Sequence, residues 1–245
     1  RTYIPKKNGK QRPLGLPSWS DKLLQEVVRS ILEAYYEPQF SDCSHGFRPG
    51  RGCHTVIQRV RQVGKATKWF IEGDISACFD EIDHSVLLEI LAEKVHDNRF
   101  LRLIKNLLDA GYLEDWKLNE TLSGVPQGGV VSPILSNLVL DRLDKFVESE
   151  LVPKHNRGES RKTYPPYVLL TVKASRARDK GDLELARKCA LAAQQLPSRD
   201  PSDPNFRRLW YVRYADDFLL GYVGPKAEAV EIKQQIAAFL REQLK

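Results

Sequence analysis

Two adjacent carboxylates, Asp216 and Asp217, lie inside the stretch Leu209–Tyr222, which reads LWYVRYADDFLLGY. β-Branched and aromatic residues flank them: Tyr211, Val212 and Tyr214 before, Phe218, Leu219, Leu220 and Tyr222 after. That pattern predicts a strand, a tight turn and a returning strand, with the carboxylates at the turn. Aspartate is also an ordinary turn residue, and an Asp-Asp tip taken alone is most often solvated decoration. A second acidic strand end shifts the balance. In WFIEGDISACFD, Asp74 closes a run from Trp69 that is apolar except for Glu72. Two such ends brought together make an oxygen-rich site of the kind that holds hard divalent cations. Glu72 shares the strand face of Asp74 and is a secondary candidate.

Periodicity and turn chemistry outline the elements that must position these groups. Thr2–Leu16 predicts a β-hairpin turning at Asn8-Gly9. Its tip and return strand carry Lys6, Lys7, Lys10 and Arg12, suited to edge protection or to an arm over a phosphate-bearing ligand. A helix is predicted over Ser18–Tyr36, where Leu23, Leu24, Val27, Val28, Ile31, Leu32 and Tyr35 recur at helical spacing. The following SHGFRPGRGCHT offers glycines for close backbone approach, and Arg48 and Arg51 as forked donors for phosphate. A fold-stabilising ion pair explains either arginine nearly as well, and His45 and His54 read as structural histidines. Helices are predicted near His84–Val95 and Asp97–Leu108, with Asp80 and Asp83 as capping or salt-bridge residues. Leu118–Gly129 reads as a loop ending in GVPQGG. Ser132 then caps a helix with Pro133 at its first position. Gly224-Pro225 opens a last amphipathic helix.

The chain has 245 residues, 42% hydrophobic and 29% charged, enough for a substantial core. No stretch approaches the length of a membrane span, and no signal peptide is visible. Net charge is +6, unevenly placed. Residues 153–208 hold 13 Lys/Arg against 6 Asp/Glu, while the rest holds 25 against 26. A basic segment on a near-neutral body points to a polyanion, nucleic acid before membrane. Pro165-Pro166, a helical patch near Leu183–Ala193 and the linker-like PSRDPSDP mark that segment as an insertion. Cys43, Cys53, Cys78 and Cys189 show no zinc-ligand spacing, which fits a reducing, intracellular setting.

Laid in order, YIPKKNGKQRPLGLP, SHGFRPGRGCHT, FIEGDISACFDEIDH, SGVPQGGVVSPILSNLVLDRLD and YVRYADDF resemble the reverse transcriptases, most closely those encoded by group II introns and their bacterial relatives. The blocks keep the family's order and internal spacing from the first residues to 218. The resemblance implies an α+β fold: right-hand polymerase fingers and palm, the antiparallel palm sheet packed on helices. Residues 1–68 would form the fingers. Residues 69–245 would form the palm, with a helical fingers-side excursion about 84–122 and the basic insertion about 153–208. Thumb and C-terminal domains would lie outside this sequence.

By the same resemblance, Asp74, Asp216 and Asp217 are the catalytic and metal-binding aspartates, with Mg²⁺ as a pair of ions and Mn²⁺ as a substitute. Lys6, Arg12, Ala77, Cys78, Phe79 and Gln127 match dNTP-binding positions. Phe79 would exclude a 2′-hydroxyl, although a core phenylalanine is its plain alternative. Gly128 and Gly129 would keep the wall beside Gln127 low. Arg48, Arg51, Ser132 and Pro133 fall near template and primer, and Arg176, Arg178 and Lys180 are basic candidates for RNA contact. The implied function is an RNA-directed DNA polymerase domain of an intron maturase, which binds intron RNA and assists splicing. Implied partners are RNA template, intron RNA, a DNA or RNA primer and dNTP, with no membrane; a homodimer stays open. The setting would be bacterial cytoplasm or an organellar matrix. Two other readings stand beside it: an RNA-binding splicing factor without polymerase activity, and a related bacterial reverse transcriptase of a defence system. The joint presence of Asp74, Phe79, Gln127, Asp216 and Asp217 argues against a retired site.

Overall fold

The computed structural model describes residues 2–5, 9, 11–75, 78–114, 117–119, 124–125 and 128–244, with backbone alone at 12, 13, 80, 112–114 and 117–119. The chain divides into two compact units, Arg1–Lys154 with Trp210–Lys245, and His155–Leu209. In the first unit, β1 (Thr2–Pro5) and β2 (Gln11–Leu14) pair antiparallel, Ile4 opposite Arg12. Gly9 turns between them at φ +79°, a conformation that favours glycine. The tip lysines Lys6, Lys7 and Lys10 lie outside the described residues.

Helix α1 (Trp19–Tyr36) starts behind Ser18, whose hydroxyl accepts the Asp21 amide. Its apolar positions wrap around more than one face. Val28 and Leu32 are buried while Leu23, Val27 and Ile31 are exposed. Next come α2 (Cys53–Val63), β3 (Trp69–Asp74), α3 (Cys78–Glu81), α4 (His84–Ala92) and α5 (Asn98–Asp109). Asp83 and Asp97 cap α4 and α5 by accepting backbone amides. The predicted loop from Leu118 begins instead inside β5 (Lys117–Asn119), which pairs with β4 (Tyr112–Glu114). Strands of three residues are too short for periodicity to reveal. Helix α6 (Ser132–Phe146) has Val131, not Ser132, at its cap, with Pro133 in its first turn. It runs on through a π-helical turn, Val147–Leu151, and a short helix, α7 (Val152–His155).

The unit His155–Leu209 is a helical hairpin, α8 (Pro165–Asp179) and α9 (Leu183–Gln194), above a base tied by bridges Arg157–Arg207 and Thr163–Arg199. The sequence signalled α9 but not α8. Helix α8 buries only Ala174 and Ala177, so it shows little apolar periodicity, and Pro165-Pro166 proves to be its first turn. The stretch PSRDPSDP is ordered rather than a linker. Buried Asp203 accepts the amides of Lys162 (2.8 Å) and Asn205 (2.9 Å), supplying partners that loop backbone otherwise lacks.

Strands β6 (Arg208–Tyr214) and β7 (Asp217–Val223) return the chain to the first unit and form, with β3, an antiparallel sheet of order β3-β7-β6. The last helix, α10 (Lys226–Phe239), stacks Phe239 on Phe146 of α6, ring centroids 4.2 Å apart. The main core lies among α1, α4, α5 and α6, where Leu32, Leu87, Leu91, Ile104, Leu108 and Leu135 are fully buried. Each such side chain contributes roughly 1.5–3 kcal/mol. The fold is α+β, as the resemblance implied.

Candidate active site

The sheet register brings the three aspartates to one end of a strand pair. Asp74, the last residue of β3, is the direct cross-strand partner of Asp217, the first of β7. Side chains so paired stand on one face, Cβ atoms about 4.5–5.5 Å apart. Asp216 is in the turn, and its carbonyl accepts the Ile75 amide at 3.3 Å, tying the turn to the end of β3. Ala215 enters that turn at φ +56°, left-handed backbone that a non-glycine residue adopts at a cost. Phe218, the next residue of β7, stands on the opposite face of the strand pair from the two carboxylates. It opposes Gly73, and a Cβ at Gly73 would lie 1.9 Å from its Cζ, so only glycine leaves room for the ring.

The carboxylates sense one another. Partial burial, then the charges of Asp216 and Asp74, push the Asp217 carboxyl above the usual aspartate range. Burial first, with contributions from Asp216 and Asp74, likewise raises the thiol of Cys78 behind them. Three carboxylates are the donor chemistry that hard divalent cations take. Among the described residues, no group of three or more His, Cys, Asp or Glu side chains is already gathered to hold a metal ion. Cross-strand placement leaves Asp74 and Asp217 within rotamer reach of a common point. Glu72, exposed, faces Leu219 two pairs removed.

The support beneath the turn was not foreseen. Arg213, in β6, is fully buried, and its guanidinium meets both oxygens of buried Asp144 on α6 at 2.8 and 2.6 Å. It also donates to Asn137 Oδ1, the Ala215 carbonyl and Ser44 Oγ. Burial alone would lower the pKa of this guanidinium; the charge of Asp144 outweighs it and the group stays protonated. Tyr211 donates to Asp144 as well, and burial followed by the Asp144 charge raises its phenol well above the usual range. One sequence signal existed: Asn137, Asp141 and Asp144 make a polar stripe at helical spacing in a helix rich in Leu, Ile and Val.

The remaining candidates divide. Phe79 is half-buried and meets exposed Phe47 edge-on, centroids 6.2 Å apart; Phe47 was overlooked. The Phe79 carbonyl accepts the Val125 amide, fastening the start of the GVPQGG stretch. Gly128 (φ +100°) would place a Cβ 2.6 Å from the Gly15 carbonyl, and Gln25 of α1 accepts the Val130 amide at 2.7 Å. The loop thus rests against the root of the N-terminal hairpin. Lys6, Ala77 and Gln127 lie outside the described residues, and Arg12 is placed in β2 by its backbone. Cys78 is buried, with its amide bonded to the Ile75 carbonyl. Ser132 is buried at the start of α6 and Pro133 is half-buried.

Arg48 is turned inward. Its guanidinium pairs with Glu37 and donates to the carbonyls of Ser41 (2.5 Å) and Ser44 (2.9 Å), making it the fold-holding ion pair rather than a phosphate donor. Arg51 pairs with Asp42 at 2.6 Å nearer the surface. In the other unit, Arg176, Arg178 and Lys180 are exposed around the C-terminus of α8. Among the described residues no helix is long and apolar enough to cross a membrane.

A family model described as Reverse transcriptase (RNA-dependent DNA polymerase) matches residues 4–168. The Group II intron-encoded protein LtrA of Lactococcus lactis subsp. cremoris is 44% identical across 100% of this chain, which covers 42% of that protein. An uncharacterized 91 kDa protein in the cob intron of Schizosaccharomyces pombe is 40% identical over 98% of the chain and 30% of its own length. Nuclear intron maturase 1, mitochondrial, of Arabidopsis thaliana is 27% identical over 91% of the chain and 36% of its own length. The chain therefore spans less than half the length of these relatives. It belongs to the reverse transcriptase family, and its likeness along the whole chain is to the group II intron-encoded proteins.

Proposed function

We propose that the chain is the fingers and palm of an RNA-directed DNA polymerase from a group II intron-type protein, adding dNTP to a primer 3′-hydroxyl on an RNA template. The observation that carries this is the pairing of Asp74 with Asp217 beside the Asp216 turn. Asp74 and Asp216 are the direct ligands of a divalent pair, with Asp217 supporting them. Such ions, when bound, lower the pKa of the attacking hydroxyl and neutralise charge on the leaving pyrophosphate. The chain's own part is to hold the carboxylates on a rigid strand pair and to shape the slot beside them. Phe79, braced by Phe47, is the wall that a ribose 2′-hydroxyl meets. Lys6 and Arg12 grasp the triphosphate, and Gln127 faces the sugar. The basic hairpin at His155–Leu209 contacts intron RNA during splicing through Arg176, Arg178 and Lys180.

Single-turnover dNTP addition on an RNA template tests the polymerase. Asp216→Ala should abolish extension while RNA affinity stays near the parent's. Equal extension by that variant would defeat the assignment. A parent that binds intron RNA but never extends a primer would favour the splicing-factor reading.

A further inference from the structure

Every N–H of the Arg213 guanidinium is engaged inside the protein. Two hold Asp144, one of them from an Nη2 that also reaches Ser44 Oγ at 2.8 Å. The Nη1 group spans Asn137 Oδ1 (3.1 Å) and the Ala215 carbonyl (2.8 Å), one residue before Asp216. The Arg213 backbone is fixed too: its amide donates to the Cys43 carbonyl and its carbonyl accepts the His45 amide. Asn137 closes the circle by donating to the Gly46 carbonyl at 3.0 Å. Gly46 lies so close that a Cβ there would sit 2.2 Å from the Ala215 nitrogen. Helix α6, the 41–46 loop and β6 therefore meet at one guanidinium, and the group they grip is the left-handed residue that aims the carboxylate turn. A lysine, with one point of charge, has no fork to join these partners.

We propose that Arg213, seated on Asp144, Asn137 and Ser44, is the positioning residue that fixes the Ala215–Asp217 turn for cation binding. The inference rests on the polymerase reading, since it assigns the turn to metal-holding carboxylates. Buried pairs of this kind need not add stability, so a role in geometry is the more economical reason for one here.

The test contrasts two variants at the same pair. Asn137→Ala removes the side chain that holds Arg213 Nη1 beside the Ala215 carbonyl and ties it to Gly46; Tyr211→Phe removes a bond to Asp144 that does not reach the turn. Thermal melting, hydrogen exchange over residues 209–222 and Mn²⁺ binding by electron paramagnetic resonance are read for each. Both variants should melt lower than the parent. Only Asn137→Ala should speed exchange around Tyr214–Asp217 and weaken Mn²⁺ binding, each about tenfold, the worth of one buried hydrogen bond to a charged group. Its kcat should fall while KM for primer–template holds. Equal exchange and Mn²⁺ affinity in the two variants would overturn the proposal. Should Asn137→Ala not fold, Ser44→Ala carries the same comparison with a smaller shift. A parent that binds no Mn²⁺ would sink the polymerase reading instead, and the exchange contrast would still decide whether Arg213 holds the turn.

Discussion

Gly73→Ala tests the placement of Phe218 against the β3–β7 strand pair. A Cβ at position 73 would lie 1.9, 2.4 and 2.5 Å from Cζ, Cε1 and Cε2 of Phe218. Carbon atoms rest at about 3.5–4.0 Å, so the ring must withdraw by roughly 1.5–2 Å. Phe218 is buried and neighbours the Asp74–Asp217 pair, so its retreat disturbs both packing and carboxylates. Overpacking of this kind costs about 1–3 kcal/mol. Against it, alanine recovers about 0.5–1 kcal/mol by restricting the unfolded chain. The single variant should lose about 1–2 kcal/mol, or roughly 2–8 °C in Tm for a chain of this size. In a Phe218→Ala background the obstacle is gone, and Gly73→Ala should become neutral or mildly stabilising. Urea denaturation of both singles and the double closes the cycle, and the double should be less destabilised than the sum by about 1–2 kcal/mol. A strictly additive cycle would show that the ring does not rest on Gly73, and the register of the pair would need redrawing.

Asp141 supplies a pH dependence of unusual sign. Burial, partly offset by Lys145, holds its carboxyl above the ordinary aspartate value. The folded chain therefore keeps the proton longer than the unfolded one, and stability falls as pH rises from that ordinary value through the raised one. Asp141→Asn should melt higher than the parent at pH 7 and lose that advantage below about pH 4; a constant offset across the range would contradict the cause given. Arg48→Ala should cost about 2–4 kcal/mol, because Glu37 loses its partner and the Ser41 and Ser44 carbonyls each lose a charged donor. It should leave the salt dependence of RNA binding alone, and a flattened slope would restore Arg48 as a phosphate contact. Neutralising Arg176, Arg178 and Lys180 together should reduce that slope by about 2–3 in log–log form. An unchanged slope would leave them as cations at a helix C-terminus, where the macrodipole favours them anyway.

What the sequence disclosed about the site is what local chemistry encodes. The alternation around Asp216 and Asp217, and the apolar run ending at Asp74, specify strand ends without reference to anything distant. Their pairing required the blocks to be recognised together. The support was hidden for a physical reason: Arg213 depends on partners 69, 76 and 169 residues away, and no window along the chain contains them. An arginine in such a strand has two satisfactory fates, outward to phosphate or inward to a carboxylate, and residue type does not choose. Arg48 makes the point from the other side, since it sits in a block that invites a phosphate contact yet is claimed by Glu37, eleven residues earlier. Helix α8 escaped notice because its buried residues are alanines, which mark no stripe. The two readings of a charged residue therefore separate on burial of the partner: a buried carboxylate such as Asp144 must recruit a cation, and that demand, not the arginine's own preference, decides where Arg213 points.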